Sequence, residues 1–304
     1  MSGSIRELLE RRAVLVTGKG GVGKTSVAAG LAHLAGSLGK RVLVGEVSYE
    51  PDATSPLARA LGIEKILEEP LHVTPNLRAV LLTPTEGHVR FLRDTLPMKL
   101  LADAAMKAAA IRRFLLAAPT LAEMGILYRI LDLVRARRSD GSPEHEVIVI
   151  DLPATGHTLG LAQIPTAILE VIHAGPIATA VREGLDLLRD PQKTTSLVVT
   201  LPETLPVSEA AELVAGLKRH HIPFSGVVLN RMVWDPFALE ERAAVDALVR
   251  DKPILGARTL PRIDRAKAAV SRLRSLSLPV AFVGEVSAEG PVATHIAQTL
   301  GGLA

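Results

Sequence analysis

The sequence predicts an α/β fold, a doubly wound and mainly parallel sheet with a helical insertion, on three observations. Short β-branched runs alternate with longer segments of helical period. Several runs, VIVI before Asp151 and LVV before Thr200 among them, are apolar without alternation, as strands are when helices cover both faces of a parallel sheet. A glycine-rich loop joins the first run to its helix.

In chain order, the first strand is Ala13–Thr17, followed by the loop from Gly18 and a helix written SVAAGLAHLAGSL. Arg41–Val47 and Leu77–Leu82 are the second and third strands. From His88 to Arg138, about fifty residues carry helix formers and no strand period. This stretch is the helical insertion, 88–138, and it holds Met98, Met106 and Met124 before RARRSDGSPEHE closes it as a polar turn. Val147–Asp151, Ser196–Thr200, Gly226–Asn230 and Pro279–Val283 complete the sheet. The chain is expected to form one domain, 1–304, with the insertion inside it.

Composition narrows the chemistry. With 304 residues and 48% hydrophobic content, the chain can bury a sizeable core without staples. It has no cysteine, which excludes a disulfide framework, a catalytic thiol, a thiolate zinc site and any soft-metal site built on sulfur. The start MSGSIRELLERR is charged and lacks the apolar run of a leader, so the cytoplasm is the expected location. The stretch from Ile164 to Val181 is broken by Glu170, His173 and Pro176 and fails as a bilayer span, so no integral membrane segment is expected. A net charge of +3, spread among acids, gives nucleic-acid binding no support.

Gly18-Lys19-Gly20-Gly21-Val22-Gly23-Lys24-Thr25 stands between a strand and a helix, the context of a P-loop NTPase. Glycines let successive backbone N–H groups turn toward phosphate oxygens, and the helix start at Ser26 adds the positive end of its dipole. Lys24 supplies a mobile charge, and the Thr25 hydroxyl suits magnesium. ATP and Mg²⁺ are thus the expected ligands. A second segment, Asp151-Leu152-Pro153-Ala154-Thr155-Gly156-His157-Thr158-Leu159, begins at the C-terminal end of a strand, where doubly wound sheets place ligands.

The loop KGGVGKT resembles the deviant Walker motif of the ArsA, MinD and ParA superfamily, and DLPATGHTL resembles the second switch of ArsA-like and tail-anchored-protein-targeting ATPases. The resemblance runs from Ala13 to Val283 in the right order. It implies that Lys19 reaches across a dimer interface toward developing phosphoryl charge, although Lys19 also reads as an exposed loop lysine. It further implies that Asp151 is the magnesium-side carboxylate, that His157 couples the switch to the helical region, that Asn230 reads the adenine edge, and that Leu260-Pro261-Arg262 flanks the base. Ala118–Glu123 resembles the family's entry into a switch-linked helix; a Pro-started helix with an early acid accounts for it equally.

One position departs from the family. In VLVGEVSYEPD, Glu46 matches the first acid of the first switch, but Ser48 stands where a water-positioning Asp is expected. Glu50 and Asp52 are the substitutes at hand, and each also reads as a solvated loop acid beside Pro51.

The leading expectation is an ArsA-like ATPase working as a homodimer, or as a heterodimer with a related ATPase, whose nucleotide state drives residues 88–138 against a protein partner or client. The insertion's apolar residues also read as its own core. Two alternatives stand beside it: a nucleotide-dependent scaffold with little hydrolysis of its own, and a ParA- or MinD-like positioning ATPase. The absence of cysteine rejects arsenite transport on thiolates and a zinc-clamped dimer.

Overall fold

A computed structural model describes residues 5–50, 54–95, 119–251, 256–286 and 291–302. Among the described residues eight strands form one sheet: β1 (Ala13–Gly18), β2 (Val42–Val47), β3 (Leu71–Thr74), β4 (Leu77–Leu82), β5 (Val147–Asp151), β6 (Thr194–Thr200), β7 (Phe224–Met232) and β8 (Val280–Gly284). Their spatial order is β3-β4-β2-β5-β1-β6-β7-β8. All neighbours are parallel except β3 and β4. Seven of these coincide with the strands expected from the sequence; β3 is the addition. That strand, LHVT, lies at the sheet edge and is only partly buried; it has no apolar run, and its alternation covers only four residues, too short to stand out from a loop.

Helices cover both faces, which explains why the central strands are apolar throughout. On one face lie α1 (Ile5–Leu9), α2 (Lys24–Ser37), α3 (Pro56–Leu61) and, from the chain's far end, the helix Val292–Gly301. They bury Val14, Val16, Val44 and Val149. The other face is covered by α5 (Pro119–Arg135), α6 (Thr155–Val171), α7 (Pro176–Arg189), α8 (Thr204–Arg219) and α10 (Thr259–Ser275), over Leu15, Leu43, Ile148, Ile150 and Val198. Alternate residues of one strand therefore serve two cores, and each fully buried Leu or Ile contributes about 1.5–3 kcal/mol. α4 (Pro84–Thr95) and α9 (Leu239–Asp251) complete the described helices, and Val292–Gly301 is α11.

The described parts of the expected insertion are helical as far as Arg135, and Arg137 beyond it forms an isolated bridge with Pro143. His88 to Thr95 belong to α4, and α5 carries the segment back into the sheet's core through Ile126, Leu127, Ile130 and Leu133. Residues 96–118, with Met98 and Met106, lie outside the described residues. The stretch from Ile164 to Val181 is divided between α6 and α7, and no described helix is long and apolar enough to cross a membrane.

Candidate functional site

The C-terminal ends of β1, β2 and β5 meet where the glycine loop turns into α2. β1 ends at Gly18, and Gly23 caps α2 with φ +89°, in the left-handed region that favours glycine. A Cβ at Gly23 would also run into the side-chain amide of Asn230. Sterics on two counts thus fix glycine at this corner.

Three predicted residues converge there. The Thr25 hydroxyl donates to Asp151 Oδ2 at 2.6 Å. Lys24 Nζ donates to the Lys19 carbonyl at 2.9 Å; burial lowers its pKa, and the nearby Asp151 carboxylate opposes that. Asp151 is buried, its Oδ1 makes no hydrogen bond, and burial pushes its carboxyl up to about 7 despite Thr25 and Lys24. A hydroxyl oxygen beside an orphaned buried carboxylate oxygen is the hard donor set that magnesium prefers, so Thr25 and Asp151 fit the ion. Among the described residues no cluster of three or more His, Asp or Glu side chains forms a separate metal site.

Lys19 is exposed and its ammonium pairs, within the same chain, with Glu209 on α8. Gly20 and Gly21 form the loop's outer turn, Val22 is buried beneath it, and Ser26 lies in the first turn of α2.

Asn230 sits at the end region of β7, buried, and its Nδ2 donates to the Val22 carbonyl at 2.8 Å. It therefore braces the loop from behind, a role the sequence reading did not include. Arg231 follows with φ +55° and, with Arg262 and Glu285, lines a cleft of about 110 Å³ at the ends of β6, β7 and β8. Arg262 holds Glu285 with contacts of 2.8 and 2.9 Å. Pro261 is exposed in the first turn of α10, so it belongs to a helix start rather than a free loop.

The segment after Asp151 is tied in at two points. Thr158 Oγ1 shares a buried hydrogen bond of 2.6 Å with Thr17 Oγ1 on β1. His157 Nδ1 lies 2.8 Å from Glu123 Oε1 on α5, and its ring lies 4.5 Å from that of Tyr49. Burial and the Glu123 carboxylate push the Tyr49 phenol well above its ordinary pKa. The loop after β2, the segment after β5 and α5 thus meet in one cluster, Tyr49–His157–Glu123. His157 and Glu123 were legible in the motifs; nothing in the sequence pointed to Tyr49 or Glu209.

The expected water-positioning residues are less drawn in. Ser48 Oγ donates to the Glu50 carbonyl at 2.8 Å, a local turn contact. Glu50 is exposed, and its carboxylate has no hydrogen bond or ion pair among the described residues. Glu46 is buried and accepts from Ser55 Oγ and Leu57 N at the start of α3; burial raises its pKa against those bonds. Asp52 lies outside the described residues. Glu46, Ser48, Tyr49, Glu50 and Pro153 border an open cleft of about 710 Å³ beside Asp151.

Comparison with known proteins returns one consistent relationship. The family model for anion-transporting ATPases matches residues 11–183, more than half of the chain. The protein called ATPase BagA of Mycobacterium tuberculosis is 26% identical over 72% of this chain. An arsenical pump-driving ATPase of Escherichia coli is 31% identical over 73% of it, and one of Acidiphilium multivorum is 28% identical over 92%. The chain spans 64% of the mycobacterial protein's length, 35% of the Escherichia coli pump's and 48% of the Acidiphilium one's.

Proposed function

The chain belongs to the anion-transporting ATPase family, and from that premise we propose that it binds and hydrolyses ATP at the loop Gly18–Thr25 and acts in the cytoplasm as a nucleotide-controlled dimer on a protein partner. The observation that carries the reading is the convergence of Lys24, Thr25 and Asp151 at the junction of β1, β5 and α2.

In this reading the backbone N–H groups of residues 20–25 hold the phosphates, and Lys24 leaves the Lys19 carbonyl to neutralise the outer ones. Thr25 and Asp151 hold Mg²⁺, which screens charge on the phosphates. Asn230 keeps the loop's shape, and Arg231 and Arg262 border the base end. Lys19 exchanges Glu209 for the phosphates of the partner subunit's nucleotide, which makes hydrolysis depend on dimerisation. Glu50, exposed and unpaired among the described residues, is the carboxylate left to orient water in place of Ser48. The cluster of Tyr49, His157 and Glu123 passes the state of the site to α5 and so to residues 88–138, where the partner docks. The relatives named as arsenical pumps do not extend that cargo to this chain, because it has no cysteine to bind arsenite as a thiolate.

The test is magnesium-dependent ATP turnover across a range of protein concentrations, with nucleotide binding followed in parallel, for the native chain, Lys19→Ala and Lys24→Ala. Turnover rising faster than linearly with concentration, and lost in Lys19→Ala while binding survives, supports the dimer. Binding without turnover at any concentration overturns the stand-alone ATPase and favours the nucleotide-dependent scaffold.

A further inference from the structure

At the end of the sheet opposite the glycine loop, the starts of β2, β4 and β5 border a cleft of about 220 Å³ whose lining includes Arg41, His72, Arg78, Arg138, His145 and one carboxylate, Glu144. Nothing in the nucleotide site uses it. Arg12 and Arg137 lie close by, so five guanidinium groups stand near three carboxylates, Glu144, Glu146 and Asp140.

Those positive charges are incompletely matched. Arg12 gives its donors to the carbonyls of Val134, His145 and Glu146, and Arg137 to those of Val134, Arg135 and Ala136, so among the described residues neither forms a carboxylate ion pair. Arg78 spends Nη1 on Glu144 at 2.7 Å and Nε on His72 at 3.2 Å, which leaves Nη2 over. Arg41 reaches Glu146 at 3.3 Å and the Pro143 carbonyl at 3.2 Å, and its Nε is buried without a partner. Arg138 is exposed, and among the described residues its side chain has no hydrogen bond or ion pair. The field is felt by its neighbours: burial first, and then Arg78, Arg12 and Arg41, hold the His145 imidazole down to about 4.

We propose that this cleft is a second anion site, separate from the ATP site, that takes the phosphate group of a small phosphomonoester. Guanidinium groups with unspent N–H donors match tetrahedral oxyanions in geometry as well as charge. Glu144 ties down one edge of Arg78 and leaves its Nη2 as a donor for the cleft, while Glu146 and the Pro143 carbonyl fix Arg41 beside it as a charge. The volume exceeds what an inorganic ion fills, yet falls below the roughly 300–1,000 Å³ of pockets that enclose larger ligands. A phosphate on a body of a few carbons fits between those limits.

The test is calorimetric titration of the full chain with inorganic phosphate and with glycerol 3-phosphate. It is run in the Lys24→Ala background, so that phosphate binding at the glycine loop is weakened and cannot be mistaken for the cleft. Saturable binding is expected, tighter for the ester, and weakened about tenfold or more by Arg138→Gln and by Arg78→Gln. Arg138→Gln removes no side-chain hydrogen bond among the described residues, and thermal melts check that each variant folds. Should Arg78→Gln unfold, Arg138→Glu, which reverses the charge of an exposed lining side chain, is expected to weaken binding in the same way. Absence of saturable binding, or binding that the folded variants leave within about twofold, overturns the site. Binding of inorganic phosphate without binding of the ester overturns the phosphomonoester assignment. ATP turnover does not enter the readout, so failure here and failure of the proposed ATPase are distinguishable.

Discussion

Lys19 and Glu209 frame the functional question at a single contact. A lysine proposed to act in a partner's site is held by a carboxylate of its own chain, and both side chains are partly exposed. Replacing Glu209 by Gln removes the competitor and leaves the loop untouched. Turnover at low protein concentration is then expected to rise several-fold, about 3–10, with nucleotide affinity unchanged. An unchanged concentration dependence sinks the idea that this pair restrains Lys19. At the other end of the loop, Gly23→Ala combines a left-handed backbone with a collision against Asn230. It is expected to cost about 1–3 kcal/mol by urea denaturation and to weaken nucleotide binding as well. The sequence named Lys19 and Gly23 correctly as loop residues. It was silent on Glu209, because a helical glutamate 190 positions away carries no local sign of its partner.

Between elements, the telling contacts are those that join the site to the helices. His157 bridges Tyr49, after β2, and Glu123, on α5. His157→Ala is expected to preserve nucleotide binding while abolishing the ATP-dependent change in hydrogen exchange along α4 and α5. If exchange there still responds to ATP, the cluster is packing and not coupling. Where α4 crosses α5 the backbones nearly touch: a Cβ on Gly87 would overlap the Gly125 carbonyl, and the His88 ring is fixed 2.6 Å from the Leu121 carbonyl beside it. Gly87→Ala therefore forces the helices apart, with an expected loss of about 1–3 kcal/mol in denaturant melts. Composition and period disclosed that this stretch is helical. They did not disclose the close crossing, which depends on two glycines meeting across a distance that no repeat in the sequence encodes.

For the molecule as a whole, pH reports on the arginine-rich end of the sheet. His145 is buried, and its pKa falls from 6.5 to about 4. Between those values the unfolded chain takes up a proton that the folded chain refuses, so this group's contribution to stability is complete above about pH 6.5 and declines as pH falls toward 4. The ceiling is about 3 kcal/mol, reduced by water in the adjoining cleft. Asp151, raised by burial, acts with the opposite sign over part of the same range, so the native curve is a sum. The difference between the native chain and His145→Asn isolates the histidine: the variant's stability is expected to fall less steeply from pH 6.5 to 4. Parallel curves would show that His145 takes up its proton in the folded chain as readily as in the unfolded one, and would overturn the lowered pKa.

The sequence by itself determined the layered fold and the phosphate loop, because both are written in local signals: apolar runs for strands with two covered faces, helical period between them, and glycines at fixed spacing before Lys24 and Thr25. It also placed Asp151, since a carboxylate ending an apolar run marks the ligand side of such a sheet. Only the tertiary structure decided what these residues touch. Asn230 proved to brace Val22, Lys19 to rest on Glu209, Tyr49 to pack on His157, and five arginines to gather at the sheet's far end from segments distant in sequence. Such contacts depend on strand order and helix placement, and those are settled by burying two cores at once, a property of the whole chain that no single stretch of it carries.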